Sequence, residues 1–207
     1  MATLSELANK YGTDKRPEDH NYTPMYEKLL SLIEVNSLLE IGLGSGASMR
    51  MWIDYYPNAK VYCIEDFGEE NERLWGKADG NIEGLNLISG DSTIKETWDK
   101  VPFELDFIVD DGDHHPDSQI KTLVQGFSHL RTGGLYFIED THCNFTELYT
   151  GGKDIIYSSI FDLIVKQQIP RMSTDGNFYR NIPYMAAEAR PILSYHFYKS
   201  IIALEKA

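Results

Sequence analysis

From residue 37 onward, short apolar runs alternate with longer stretches in which apolar residues recur every three or four positions. The short runs, 37–42, 60–65, 85–89, 105–110 and 134–139, predict strands of the kind buried on both faces. Among the longer stretches, Ile120, Leu123, Val124, Phe127 and Leu130 mark the clearest helical face, with Pro116 and Asp117 near its start. Strands alternating with helices predict βαβ units, right-handed connections and a mainly parallel sheet.

The rhythm differs at both ends. Thr3-Leu4-Ser5-Glu6 has the spacing of a capping box, and Leu4, Leu7, Ala8 and Tyr11 follow at helical intervals up to Gly12. A polar loop over 13–21, containing Pro17, leads to a second helix with Thr23 as cap and Pro24 at its first position. Tyr26, Leu29, Leu30 and Ile33 share one face of that helix. Residues 1–36 are therefore expected to form a helical cover segment ahead of one domain over 37–207. Beyond Asp140 comes a turn-rich stretch, 142–154, with Gly151-Gly152, then a helix over 155–168 stopped by Pro170. The polar, irregular 172–190 is expected to be a lid or substrate loop. Runs at 192–197 and 200–205 predict a tight antiparallel hairpin.

Length and charge narrow the class. A chain of 207 residues suits one domain with a proper core. The formal charge of −13 argues against a nucleic-acid partner, which needs a cationic face. No apolar run approaches the roughly 20 residues that span a bilayer, so no membrane partner is expected. The stretch MATLSELANKYG lacks the basic and apolar blocks of a signal peptide. Cys63 and Cys143 follow no zinc or redox spacing and are expected as buried free thiols, in keeping with a cytoplasmic location.

Candidate chemistry gathers where the strands end. FIVDDGDHH, 107–115, and LYFIED, 135–140, are apolar runs cut off by carboxylates. Acids so placed belong to the carboxyl edge of a sheet, where open α/β folds bind ligands. If the two strands are neighbours, Asp110, Asp111, Glu139 and Asp140 converge, and like charges that close require a cation. Oxygen donors without thiolates favour a hard ion, Mg²⁺ before Ca²⁺ or Mn²⁺. His114, three residues past Asp111, is placed to take a proton from a substrate hydroxyl. His115 faces solvent or rivals it as the base, and His142 belongs to a loop. His20, His129 and His196 have no chemical neighbours in sequence and read as structural.

The first strand runs into LEIGLGSGA, a glycine turn opening a helix. Gly42 and Gly44 permit a sharp turn and close approach of a ligand to the main chain, although G-x-G-x-x-A also fits a dinucleotide fingerprint. Glu40, near the strand's end, is a buried carboxylate in need of a partner, which the ammonium of S-adenosylmethionine would supply. Glu65 ends the next strand, where a ribose-binding acid belongs. Asp91, in Gly90-Asp91-Ser92, follows the third strand and could accept from an adenine amine.

LEIGLGSG, the strand-end acids and the terminal hairpin resemble the class I S-adenosylmethionine-dependent methyltransferases, and the resemblance covers 37–207. It implies a Rossmann-like α/β fold: a seven-stranded, mostly parallel sheet with a C-terminal antiparallel hairpin and helices on both faces. FIVDDGDHH followed by FIEDTH resembles the Mg²⁺-dependent sugar O-methyltransferases of the mycinamicin and macrocin type, which carry Asp-Asp-Gly-Ser-His and then Glu-Asp. By that resemblance Asp111, Glu139 and Asp140 are the metal ligands and His114 the general base. Asp110 would lie near the methionine portion of the cofactor, with Glu40, Gly42, Gly44, Ser45, Glu65, Asp91 and Ser92 around the remainder. KYGTDK and His20-Asn21-Tyr22 resemble the same group's N-terminal motif, from which Thr13 and Tyr22 are assigned to the cofactor's cover. The chain departs from the pattern at Asp113, where the family has serine, and in its second histidine, His115. The implied reaction is direct methyl transfer to a hydroxyl of a small-molecule sugar or glycoside by a self-associating enzyme. A catechol-type diol is the alternative acceptor, and an NAD-dependent oxidoreductase the alternative class. Tyr179, Tyr184, Tyr195 and Tyr198 would stack on a sugar or serve packing.

Overall fold

A computed structural model describes residues 2–67, 80–150, 156–160 and 192–207. One sheet contains β1 (Ser37–Ile41), β2 (Lys60–Glu65), β3 (Leu85–Ser89), β4 (Leu105–Asp110), β5 (Leu130–Ile138), β6 (Ile192–Tyr198) and β7 (Ile201–Lys206). Their order is β3-β2-β1-β4-β5-β7-β6. The first five strands pair in parallel, whereas β7 runs antiparallel to both β5 and β6. The chain steps outward from β1 to β3 and then returns to the other side of β1 with β4. That reversal opens a crevice at the carboxyl ends of β1 and β4, the usual ligand position in such sheets. The hairpin forms as expected, but its second strand enters the sheet first: Ile201 to Leu204 of β7 are buried, while β6 is the half-exposed edge.

Helices cover both faces. α1 (Leu4–Tyr11) carries the predicted capping box between Thr3 and Glu6 and ends at Gly12, whose φ of 72° suits glycine. α2 (Thr23–Leu30) begins one residue earlier than the pattern suggests, with Tyr22 at the cap position. α3 (Ala47–Tyr55) follows the glycine turn, and a short α4 (Lys95–Trp98) precedes β4. α5 (Pro116–Gly126) continues into a 3₁₀ turn over Phe127–His129. Its buried face differs from the predicted one: Val124 is exposed, whereas Gln119, Thr122, Leu123 and Gly126 face inward. Close packing explains the rotation, because a Cβ on Gly126 would lie 2.6 Å from the Trp98 ring. α6 (Glu147–Thr150) follows a 3₁₀ turn over Thr141–Phe145.

The two core layers divide the helices. Leu4, Tyr26, Leu29 and Trp52 pack with Leu38, Phe107 and Phe137 on one face; Trp98, Leu123 and Phe127 pack with Leu39, Ile108 and Tyr136 on the other. The N-terminal helices are thus part of the core. Burying each of Leu4, Met25, Leu29 and Leu30 contributes roughly 1.5–3 kcal/mol of transfer free energy.

Residues 156–160 are helical. The remainder of the predicted 155–168 helix, the Gly151-Gly152 turn, the 172–190 lid, Tyr179 and Tyr184 lie outside the described residues. Tyr195 and Tyr198 pack against the cores, and both cysteines are buried and free. Among the described residues, no helix is long and apolar enough to cross a membrane.

Candidate active site

The glycine turn joins the ends of three strands. Gly42 has φ 95°, and a Cβ there would fall 2.2 Å from the Asp111 carbonyl oxygen, so β1 and β4 can close this tightly only around a glycine. The Asp111 amide donates to the Ile41 carbonyl, and the Gly42 amide to that of Ile64. Glu65 Oε2 accepts the Leu43 amide at 2.6 Å, which holds the turn from the β2 side. Gly44 and Ser45 remain on the open surface of the turn. Beyond β3, Asp91 closes its own turn by accepting the Thr93 amide at 2.7 Å, and Ser92 pairs its hydroxyl with that of Thr122.

Glu40 is fully buried. It accepts from Ser48 Oγ at 2.7 Å and Trp52 Nε1 at 2.5 Å, and its cationic neighbour is Lys15, with Nζ 3.6 Å away. The same ammonium reaches Asp111 Oδ2 at 2.5 Å and Glu139 Oε2 at 2.7 Å. Tyr26 donates its hydroxyl to the other Glu139 oxygen. Burial pulls the Lys15 pKa down, yet Asp111, Glu139 and Glu40 together raise it well above the ordinary range, so Lys15 is an ammonium here. Thr13 is buried and accepts the Lys15 amide at 3.4 Å, anchoring the loop that carries it.

Toward solvent the cluster changes character. One donor atom each from Asp111, His114 and Asp140 lies within 4.8 Å of the others. His114 Nε2 is 3.5 Å from Asp140 Oδ2, while its Nδ1 is buried without a hydrogen-bond partner among the described residues. Both residues are left-handed, with φ 58° and 52°, a conformation costing roughly 1–2 kcal/mol for a residue with a Cβ. Such strain at adjoining strand ends is a common mark of a working site. Asp140 also accepts from the Tyr22 hydroxyl at 2.6 Å, and Nδ1 of His20 and of His142 each lie 3.8 Å from its Oδ1. Asp110 is buried beneath this group; burial, with Asp113 and Asp111 nearby, pushes its carboxyl up to about 7. Asp113 lies just ahead of α5, accepting the His115 amide at 2.9 Å and Ser118 Oγ at 2.8 Å. His115 is exposed, its ring 5.0 Å from that of Tyr149.

Residues 39–141 match the family model Methyltransf_24, described as a methyltransferase domain. The chain carries a methyltransferase domain. It is 28% identical over 226 residues to the mycinamicin VI 2''-O-methyltransferase of Micromonospora griseorubida, a match covering 98% of this chain and 52% of that protein. It is 31% identical over 160 residues to the L-olivosyl-oleandolide 3-O-methyltransferase of Streptomyces antibioticus, covering 72% of this chain and 39% of that one. Among solved structures, it superposes with a TM-score of 0.77 and 26% identity on the mycinamycin-pathway methyltransferase MycE in complex with Mg, SAH and mycinamycin VI. That match covers 99% of this chain and 53% of MycE. The chain spans about half the length, or less, of the curated relatives it matches.

The donor set of this methyltransferase domain suits a hard divalent ion. Glu40, Asp111 and Glu139 surround the Lys15 ammonium and Asp140 lies beside His114, so among the described residues the carboxyl groups outnumber the lysine that meets them. Asp111 is partly accessible and Asp140 is buried, and among the described residues each Glu139 oxygen accepts one donor, leaving lone pairs on all three acids. Of the residues singled out in the sequence, Asp111, His114 and Asp140 lie together with Glu139 close by, and Tyr22, expected in the cofactor's cover, donates to Asp140. Sequence reasoning missed Lys15 and Tyr26, and it read His20 as structural. The signal for Lys15 lay in the excess of acids at the strand ends, which called for a cation from elsewhere in the chain.

Proposed function

We propose that this chain is a divalent-metal-dependent O-methyltransferase that moves a methyl group from S-adenosylmethionine to a hydroxyl of a sugar or glycosylated natural product. The observation that carries this reading is the meeting of Asp111, His114 and Asp140 at the carboxyl edge of β4 and β5, beside the glycine turn of β1. The curated relatives named above methylate glycosylated macrolide-type compounds by their names, which supports the acceptor class.

In this reading Gly42, Gly44, Ser45, Glu65, Asp91 and Ser92 surround the cofactor, with Asp110 beneath its methionine end and Thr13 and Tyr22 in the segment that covers it. Asp111, Glu139 and Asp140 hold the ion, which when bound supplies polarisation of the acceptor hydroxyl. His114 takes the hydroxyl proton in this reading, from its place beside Asp140 at the edge of the acid cluster. Tyr22 fixes Asp140, and Tyr26 with Lys15 fixes Glu139, so the acids keep their positions before the acceptor arrives. Two reactants held in line need little further chemistry for methyl transfer.

Calorimetric titration tests the cofactor class directly. S-adenosylhomocysteine should bind the wild-type protein, and NAD should not; NAD binding without S-adenosylhomocysteine binding would replace the reading with an oxidoreductase. His114→Ala should retain S-adenosylhomocysteine affinity within about threefold while losing turnover.

A further inference from the structure

The loop between α1 and α2 reaches the acid cluster through Lys15, whose side chain is fully buried. Its Nζ meets acids from three strands at once: Glu40 in β1 at 3.6 Å, Asp111 just past β4 at 2.5 Å, and Glu139 just past β5 at 2.7 Å. The backbone is fixed for this task. The Lys15 carbonyl accepts the amides of Tyr22 and Thr23, at 3.0 and 3.2 Å, where α2 begins. One turn later Tyr26 donates to the remaining Glu139 oxygen.

We propose that Lys15 is a resident counter-cation of the ion site, which holds Glu40, Asp111 and Glu139 together whenever no divalent ion is bound and so links ion loading to docking of the α1–α2 loop. This rests on the ion-dependent reading above. Two buried carboxylates, Glu40 and Glu139, and a third, Asp111, that is only partly exposed cannot all stay ionised side by side without a cation. A divalent ion exchanges with solvent; an ammonium attached to the chain does not. Lys15 touches two of the acids that would hold the ion and not the acceptor, so it acts as a positioning residue. Because ion and ammonium stabilise the same acids, removing one makes the fold depend more on the other.

Lys15→Met keeps an unbranched side chain, one atom shorter, and removes its charge. Thermal unfolding in chelator should fall by about 10 °C relative to wild type. Saturating Mg²⁺ should raise the variant's Tm by more than it raises that of wild type, and should slow proteolysis of the 13–22 loop. Lys15→Met/Glu40→Gln, which also removes one acid served by the ammonium, should recover part of the loss in chelator. Equal Tm in chelator, equal Mg²⁺ shifts, or a double variant as unstable as the sum of its parts would each overturn the proposal. If Lys15→Met alone does not fold in chelator, the double variant decides: folded supports the counter-charge role and unfolded refutes it. Wild-type protein that binds no Mg²⁺ by calorimetry would overturn the ion reading and the linkage together. Ion binding that is indifferent to Lys15 would overturn the role of Lys15 alone.

Discussion

At the amino end of β4, Asp106 is buried with its oxygens fully engaged: Arg131 Nε donates to one at 2.5 Å, and the amides of Asn36 and Ser37 donate to the other at 2.7 and 2.8 Å. At the carboxyl end of the same strand and its neighbour, Asp111 and Glu139 share the Lys15 ammonium, and Asp110, Glu139 and Asp140 each accept a tyrosine hydroxyl near the open crevice. The same residue type on the same strand serves opposite purposes. A carboxylate whose partners match its charge ties loops to the sheet. Carboxylates gathered in excess of their partners keep binding capacity for something else, at a cost in stability.

Exchanging the acids at the two ends should therefore give opposite phenotypes. Asp140→Asn or Asp111→Asn should lower methyl-transfer turnover by about 10³-fold, while the Tm in chelator holds or rises because the cluster loses a repelling charge. A turnover loss that merely tracks unfolding would break the contrast. His114→Ala, with the acids intact, should cost about 10²-fold in kcat/KM with little change in S-adenosylhomocysteine affinity. A fully active variant would transfer the role of base to His115, His142 or His20.

Asp106→Asn should do the reverse, leaving kcat within about twofold and lowering stability by about 2 kcal/mol, near 6 °C in Tm, as Arg131 and two amides lose their anion. Chemical denaturation beside an activity assay on one preparation measures both.

The smallest effect concerns His129, on the same side of the molecule as Asp106, where its ring stacks on Phe103 and Nδ1 lies 3.2 Å from the Pro102 carbonyl. Burial lowers its pKa below the ordinary 6.5. The unfolded chain then binds a proton that the folded chain refuses, so this contribution is complete above about pH 6.5 and is lost as pH falls below it. Wild type should lose more stability than His129→Gln between pH 7.5 and 5.5, by urea denaturation. Parallel losses would remove His129 from the account.

The contrast between the two ends was partly legible in the chain itself. Strands buried on both faces announce themselves as unbroken apolar runs, so β1, β2, β4 and the acids that end β4 and β5 stood out. The partners of those acids did not. Lys15 sits 96 residues from Asp111 and 124 from Glu139, and a lysine in a polar loop looks solvated until the fold closes over it. His20 gave no hint of Asp140 for the same reason. Glu40 was expected to need a partner, and a partner the sequence did not point to, Lys15, lies 3.6 Å from it. Local packing rather than distance hid the face of α5, where the approach of Gly126 to Trp98 turns Val124 outward.

The proposed metal-dependent methyl transfer to a sugar hydroxyl at the open end of β4 can be measured directly. Labelled S-adenosylmethionine, offered with a panel of nucleotide sugars, glycosides and catechols to protein stripped of metal and then resupplied with Mg²⁺, provides the measurement. Label should pass to a sugar or glycoside only after Mg²⁺ is restored. Equal transfer by verified metal-free protein, or transfer to catechols alone, would contradict it.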